Sequence, residues 1–123
     1  LLAESDVVSL HLPLTSETRC LIDASAIDRM RRGAIIINTA RGALIDESAL
    51  LEALRTGRIS AAGLDVFAAE PISRDSPLLA LDNVVVSPHV AWLTSETMER
   101  SVTVAAENCR RLDAGETLLH RVV

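Results

Sequence analysis

The sequence predicts an α/β fold built on a parallel sheet. Short β-rich runs alternate with helix-length amphipathic segments, and such alternation calls for right-handed β-α-β crossovers. One run, Ala34-Ile35-Ile36-Ile37-Asn38, is apolar almost throughout, as in strands buried on both faces. The length of 123 residues suits one domain. A globular chain of that size buries roughly two thirds of its unfolded surface.

The first β-rich run is Val7-Val8-Ser9-Leu10-His11-Leu12, closed by Pro13. A helix follows, capped by Asp23 or Ser25 and running through Ile27 and Met30, with Arg31 and Arg32 in its last turn and Gly33 as its stop. After the second strand, Asp46 caps a stronger helix that carries Leu50, Leu51 and Leu54 on one face and ends at Arg55-Thr56-Gly57. The third strand is read as Ala61-Ala62-Gly63-Leu64-Asp65-Val66. An irregular stretch with Pro71 and Pro77 leads to a short helical turn at Leu78 to Leu81. The fourth strand, Val84-Val85-Val86-Ser87, stops at Pro88. A final helix spans Thr94 to about Leu112, with Met98, Val102, Ala105, Cys109 and Leu112 forming one narrow apolar stripe.

Composition removes several function classes. Hydrophobic residues make up 49% and charged residues 24%, which is too apolar for a disordered tail. The net charge is −5, with one Trp, one Phe and no Tyr, so both the phosphate-binding and the stacking side chains of a nucleic-acid binder are lacking. No apolar run approaches the ~18–20 residues that span a bilayer, and no secretory signal is expected. All twelve basic residues are Arg, which removes Schiff-base and Walker-lysine chemistry. Cys20 and Cys109 stand far apart and read as ordinary small apolar thiols of a reduced cytoplasmic protein.

A parallel sheet binds ligands beyond the carboxyl ends of its strands. Four loops lie there: Leu12-Pro13-Leu14-Thr15 with Thr18 beyond, Asn38-Thr39-Ala40-Arg41-Gly42, Asp65-Val66-Phe67 leading to Glu70-Pro71, and Ser87-Pro88-His89. Taken singly, Arg41 reads as a solvated cation, Asp65 as a turn cap, Glu70 as a loop acid and His89 as an ordinary loop histidine. Their convergence is more informative. Arg41 stands between Ala40 and Gly42, so little bulk crowds a guanidinium fork suited to a carboxylate. His89 beside an acid is a candidate proton donor.

The strings HLPLT, NTARGALIDESALLEAL, GLDVFAAEP and SPHVAW resemble the D-isomer-specific 2-hydroxyacid dehydrogenases, in order and at that family's spacing. The group includes D-lactate, D-glycerate/hydroxypyruvate, glyoxylate and 3-phosphoglycerate dehydrogenases or reductases. The resemblance implies the second half of a Rossmann-like doubly wound parallel sheet, with a C-terminal helix returning toward a substrate domain outside this chain. It implies NAD or NADP as cofactor, a small 2-hydroxy or 2-keto acid as substrate, no metal, and a homodimer in the full-length enzyme. Arg41 would hold the substrate carboxylate, His89 would act as acid/base and Glu70 would orient it. Leu12, Pro13, Thr18, Thr39, Ala40, Arg41, Asp65, His89 and Ala91 would meet the cofactor. Formate dehydrogenases are similar but carry an amide in place of Glu70, so the Glu–His pair argues for a keto acid.

No GxGxxG occurs; the glycines are Gly33, Gly42, Gly57, Gly63 and Gly115. The pyrophosphate-binding turn is therefore expected upstream of Leu1, with residues 1–93 a partial dinucleotide-binding domain and 94–123 a crossover helix and tail. Trp92 reads equally as a pocket or dimer contact and as a buried packing aromatic; His11 and His120 read as structural. A competing function on the same fold is a cofactor-sensing corepressor-like module without turnover.

Overall fold

The computed structural model describes residues 1–122; Val123, the last residue of the expected tail, lies outside the described residues. Strands β1 (Val7–Leu10), β2 (Ala34–Asn38), β3 (Ile59–Leu64) and β4 (Val84–Val86) pair in the order β1-β2-β3-β4, and every pair is parallel. Helix α1 (Ala24–Arg29) joins β1 to β2, helix α2 (Glu47–Arg55) joins β2 to β3, and a 3-10 turn, Pro77–Ala80, precedes β4. Successive right-handed crossovers stepping the same way across a sheet put both helices on one face. That face holds the core, where Val8, Leu10, Ile36, Ala62 and Leu64 share a cluster with Ile27, Leu50 and Leu54.

One-sided cover corrects an expectation from the sequence. In β2, Ala34, Ile36 and Asn38 are buried, but Ile35 and Ile37 are only half-buried. Their face also carries Val7 and Val85, the latter 75% exposed. Along β3 the register passes from Ala34↔Ile59 to Ile35↔Ala61, so Ser60 is an extra residue. Without that irregularity Ile59 and Ala62 could not both face the core, because side chains alternate strictly along a strand.

The element ends show where polar side chains override pattern. β1 stops at Leu10 and β3 at Leu64, each two residues before the expected end, because the chain leaves the sheet there to build loops. Asp23, rather than Ser25, caps α1 by accepting from the Ala26 N–H at 2.7 Å. The helix ends at Arg29, so Arg31 and Arg32 lie beyond it, and Gly33 turns the chain with φ +79. Instead, the Arg58 guanidinium donates to the carbonyls of Asp28, Met30 and Arg31, the place where a cation best offsets the helix dipole. Asp46 caps α2 as expected, accepting from Ser48 N–H at 3.0 Å and Ala49 N–H at 3.2 Å. The Ser48 hydroxyl and these amides hold its carboxyl below the usual 3.8.

Residues Leu1–Val90 form one compact unit and those from Ala91 onward a second. The second contains α3 (Ser95–Asp113), capped by Thr94 through the Thr97 N–H at 3.1 Å. No α3 residue is buried, and Met98, Val102 and Leu112 of the expected stripe are exposed. Near its end Arg110 and Arg111 both donate to Glu107, holding that carboxyl down to about 2. Among the described residues no helix is long and apolar enough to cross a membrane.

A one-sided core makes a measurable prediction. Ile36 is fully buried. Ile36→Ala should cost about 2–5 kcal/mol in denaturant unfolding, while Val85→Ala should stay within about 0.5 kcal/mol. Equal losses at the two positions would contradict this packing.

Candidate active site

All four strands point the same way, so their carboxyl ends share one edge of the sheet. At the end of β2 the buried Asn38 side chain, 1% exposed, organises the next loop. Its Nδ2 donates to the Arg41 carbonyl at 2.9 Å and its Oδ1 accepts from the Ala40 N–H at 3.1 Å. Arg41 then opens a 3-10 turn, Gly42–Leu44, with its guanidinium exposed and donating to the Ala40 carbonyl at 2.6 Å. A Cβ on Gly42 would lie 1.9 Å from the Phe67 carbonyl carbon, so only glycine lets the Arg41 loop touch the loop after β3.

Asp65, 3% exposed, ties the end of β3 to the turn after β4. Its Oδ1 accepts from the Ser87 hydroxyl at 2.5 Å and from the Val90 N–H at 2.9 Å, while its carbonyl accepts from the His89 N–H at 2.9 Å. These bonds bracket His89, whose φ of +57 is left-handed and costs a non-glycine residue roughly 1–2 kcal/mol. His89 Nδ1 lies 2.8 Å from Glu70 Oε2. The other Glu70 oxygen accepts from the Phe67 N–H at 3.0 Å, and Glu47 Oε1 accepts from the Ala68 N–H at 2.6 Å. The Phe67 amide first, then the His89 hydrogen bond, and then the positive charges of His89 and Arg41 hold the Glu70 carboxyl below its usual 4.5.

Two clefts meet at these groups. One, about 390 Å³, is bounded by Leu14, Arg41, Ala43, Ala68, Glu70 and His89. The other, about 470 Å³, runs between His11–Leu14 and Ala40–Arg41, so Leu14 and Arg41 border both. A fork-shaped cation, an imidazole and a carboxylate around one cavity can hold an anionic substrate and exchange one proton with it. The profile of the "D-isomer specific 2-hydroxyacid dehydrogenase, NAD binding domain" matches residues 1–91. The chain belongs to the D-isomer specific 2-hydroxyacid dehydrogenase family.

Relatives agree along nearly the whole chain. A glyoxylate reductase of Korarchaeum cryptofilum is 51% identical over 116 residues, covering 94% of this chain and 35% of its own length. A D-3-phosphoglycerate dehydrogenase of Mycobacterium leprae is 52% identical over 116 residues, covering 94% of this chain and 22% of itself. The chain thus spans about a third or less of these relatives. The crystal structure of the TT0316 protein from Thermus thermophilus superposes with a TM-score of 0.93 at 48% identity, over 99% of this chain and 39% of that one. A D-isomer specific 2-hydroxyacid dehydrogenase from Xanthobacter autotrophicus Py2, in complex with NADPH and MES, gives 0.85 at 47% identity over 99% and 50%.

Within this dehydrogenase domain the expected residues divide into groups. Arg41, Glu70 and His89 border one cavity. Leu12, Pro13, Ala40 and Arg41 line the second cleft. Thr39 is exposed in the same loop. The Thr18 hydroxyl donates to the Pro13 carbonyl at 2.7 Å and accepts from the Thr15 N–H at 2.8 Å, closing the loop that carries Leu12 and Pro13. Asp65 Oδ1 serves the His89 turn, and Ala91 begins the second unit. Trp92 is 53% exposed, against the reading of a buried packing aromatic, and both cysteines are free and exposed. Among the described residues no group of three His, Cys, Asp or Glu could hold a metal. Sequence reasoning missed Asn38, Ser87 and Glu47 as organisers of the loops, and His11 as a wall of the second cleft.

The Glu70 environment predicts a pH dependence. Its folded pKa lies below the usual 4.5, so its contribution to stability is present above that value and is lost as pH falls through the lower folded one. A carboxyl-carbon NMR titration should place the Glu70 midpoint below 4.5. A midpoint at or above 4.5 would contradict the observed hydrogen bonds.

Proposed function

We propose that the protein carrying this chain reduces a small 2-oxo acid of the glyoxylate or hydroxypyruvate class to the corresponding 2-hydroxy acid, of D configuration where that carbon is chiral, and runs the reverse oxidation. The observation that carries this reading is the 2.8 Å His89–Glu70 pair in a cavity that Arg41 also borders. Arg41 binds the substrate carboxylate through its fork and draws the neighbouring carbonyl toward His89. Glu70 on Nδ1 fixes the ring orientation, so Nε2 delivers the proton to the carbonyl oxygen and takes it back from the hydroxyl in reverse. When bound, the nicotinamide supplies the hydride that reaches the carbonyl carbon. Leu12, Pro13, Thr18, Thr39, Ala40, Asp65 and Ala91 form or shape the cofactor side of the site.

A glycine-rich phosphate-binding turn does not occur in these residues, and the chain spans half or less of the structures above. We therefore assign 1–93 to the catalytic half of a dinucleotide-binding domain, and 94–123 to a helix and tail directed to a substrate domain. A cytoplasmic setting fits the two free thiols Cys20 and Cys109, and a homodimer is the assembly we assign to the complete enzyme.

The test is turnover of the complete protein with glyoxylate or hydroxypyruvate and NADH or NADPH. His89→Asn should lower kcat by about 10²–10⁴-fold. Arg41→Ala should act mainly through the KM of the keto acid. Undiminished turnover in both variants would overturn the assignment, as would cofactor-gated partner binding with no turnover in the wild type.

A further inference from the structure

We propose that Glu47, in the first turn of α2, is a positioning residue that tethers the loop presenting Glu70 to His89. Its carboxylate reaches across 21 residues of sequence to accept the Ala68 N–H at 2.6 Å. The preceding amide, Phe67 N–H, goes to Glu70 Oε1 at 3.0 Å. Two successive backbone donors are thus each held by a carboxylate, and the one that holds Phe67, Glu70, meets His89 Nδ1 at 2.8 Å. Charge-assisted bonds of this kind are shorter and stronger than neutral ones.

The base of the tether is rigid. Leu50, Ala53 and Leu54 bury α2 against the sheet. The helix does not need Glu47 as a cap, because Asp46 already accepts from Ser48 and Ala49. From the other side the bare Cα of Gly42 abuts the Phe67 carbonyl and the Ala68 nitrogen. The segment at 67–68 is therefore clasped between Gly42 and Glu47, and Glu70 follows two residues later. In the sequence, an acid at this position reads only as a favourable charge at a helix start.

This inference rests on the reading of Glu70 and His89 as the proton-handling pair, but its test does not require turnover. Glu47→Ala removes the acceptor and the charge; Glu47→Gln removes the charge and keeps an oxygen that can accept. Removing a neighbouring anion by itself lowers the Glu70 pKa. An upward move therefore reports loss of the loop geometry.

In the complete protein, a carboxyl-carbon titration should show Glu70 moving up toward 4.5 in Glu47→Ala and staying low in Glu47→Gln. Hydrogen exchange at the Ala68 amide should accelerate only in the Ala variant. In the complete enzyme, Glu47→Ala should lower kcat by about tenfold to a hundredfold. The cofactor KM should be unchanged there, and Glu47→Gln should restore kcat. An unmoved Glu70 midpoint in Glu47→Ala, or identical behaviour of the two variants, would overturn the proposal. An inactive wild type with the titration pattern intact would overturn the catalytic reading of the pair and leave the tether standing.

Discussion

Parallel strand order is the constraint from which the other features follow. Four strands running one way leave Asn38, Asp65 and Ser87 at or just beyond neighbouring strand ends, where the Asn38 side chain holds its own loop and the Ser87 hydroxyl bridges to Asp65. An antiparallel partner would send every second loop to the opposite edge. The Arg41, Glu70 and His89 loops then could not share one cavity. The order in turn requires long crossovers, and the right-handed rule places α1 and α2 together on one face. That is why the core is one-sided, and why Ile36 is sealed while Ile37, its neighbour in β2, is only half-buried.

Above the core, polar side chains rather than apolar packing hold the reactive loops. Asn38 fixes the Arg41 turn from below, Asp65 brackets His89, and Glu47 and Glu70 take the two consecutive amides of Phe67 and Ala68. Asn38, Asp65 and Glu47 stand at strand ends or a helix start whose apolar side chains are buried, and Glu70 lies in the loop they help hold. Geometry at the site is thus borrowed from the sheet through hydrogen bonds. Such bonds are directional, so they can hold His89 in a left-handed conformation that apolar contacts alone would not select.

The sequence made some of this legible. The unbroken run at 34–38 marked β2 to the residue, and Asp46 before Leu50 and Leu54 marked α2 and its cap. Arg41, Glu70 and His89 stood out because their types fit one reaction and their motifs kept a family's spacing. The bulge at Ser60 left no trace in the hydrophobic pattern, and neither did the capping of α1 by Arg58, which depends on a contact 27–30 residues away. Glu47 was hidden for the same reason. Its partner is a backbone N–H, which every residue other than proline carries, so no residue type at position 68 could reveal it. Asp65 was read from its place in the motif as a cofactor contact; that its Oδ1 also accepts from Ser87 and Val90 had no signal in the motif.

Family membership, a cavity bordered by Arg41, and the hydrogen-bonded His89–Glu70 pair together support the central proposal, that the carboxylate of a keto acid sits on Arg41 while its carbonyl faces His89. The most direct measurement is a crystal structure of the complete enzyme with NADH and oxamate, the unreactive amide analogue of a 2-keto acid. The account predicts the oxamate carboxylate in the Arg41 fork and its keto-position oxygen within about 3.2 Å of His89 Nε2. Oxamate bound elsewhere, or with its carboxylate turned toward His89 and away from Arg41, would contradict it.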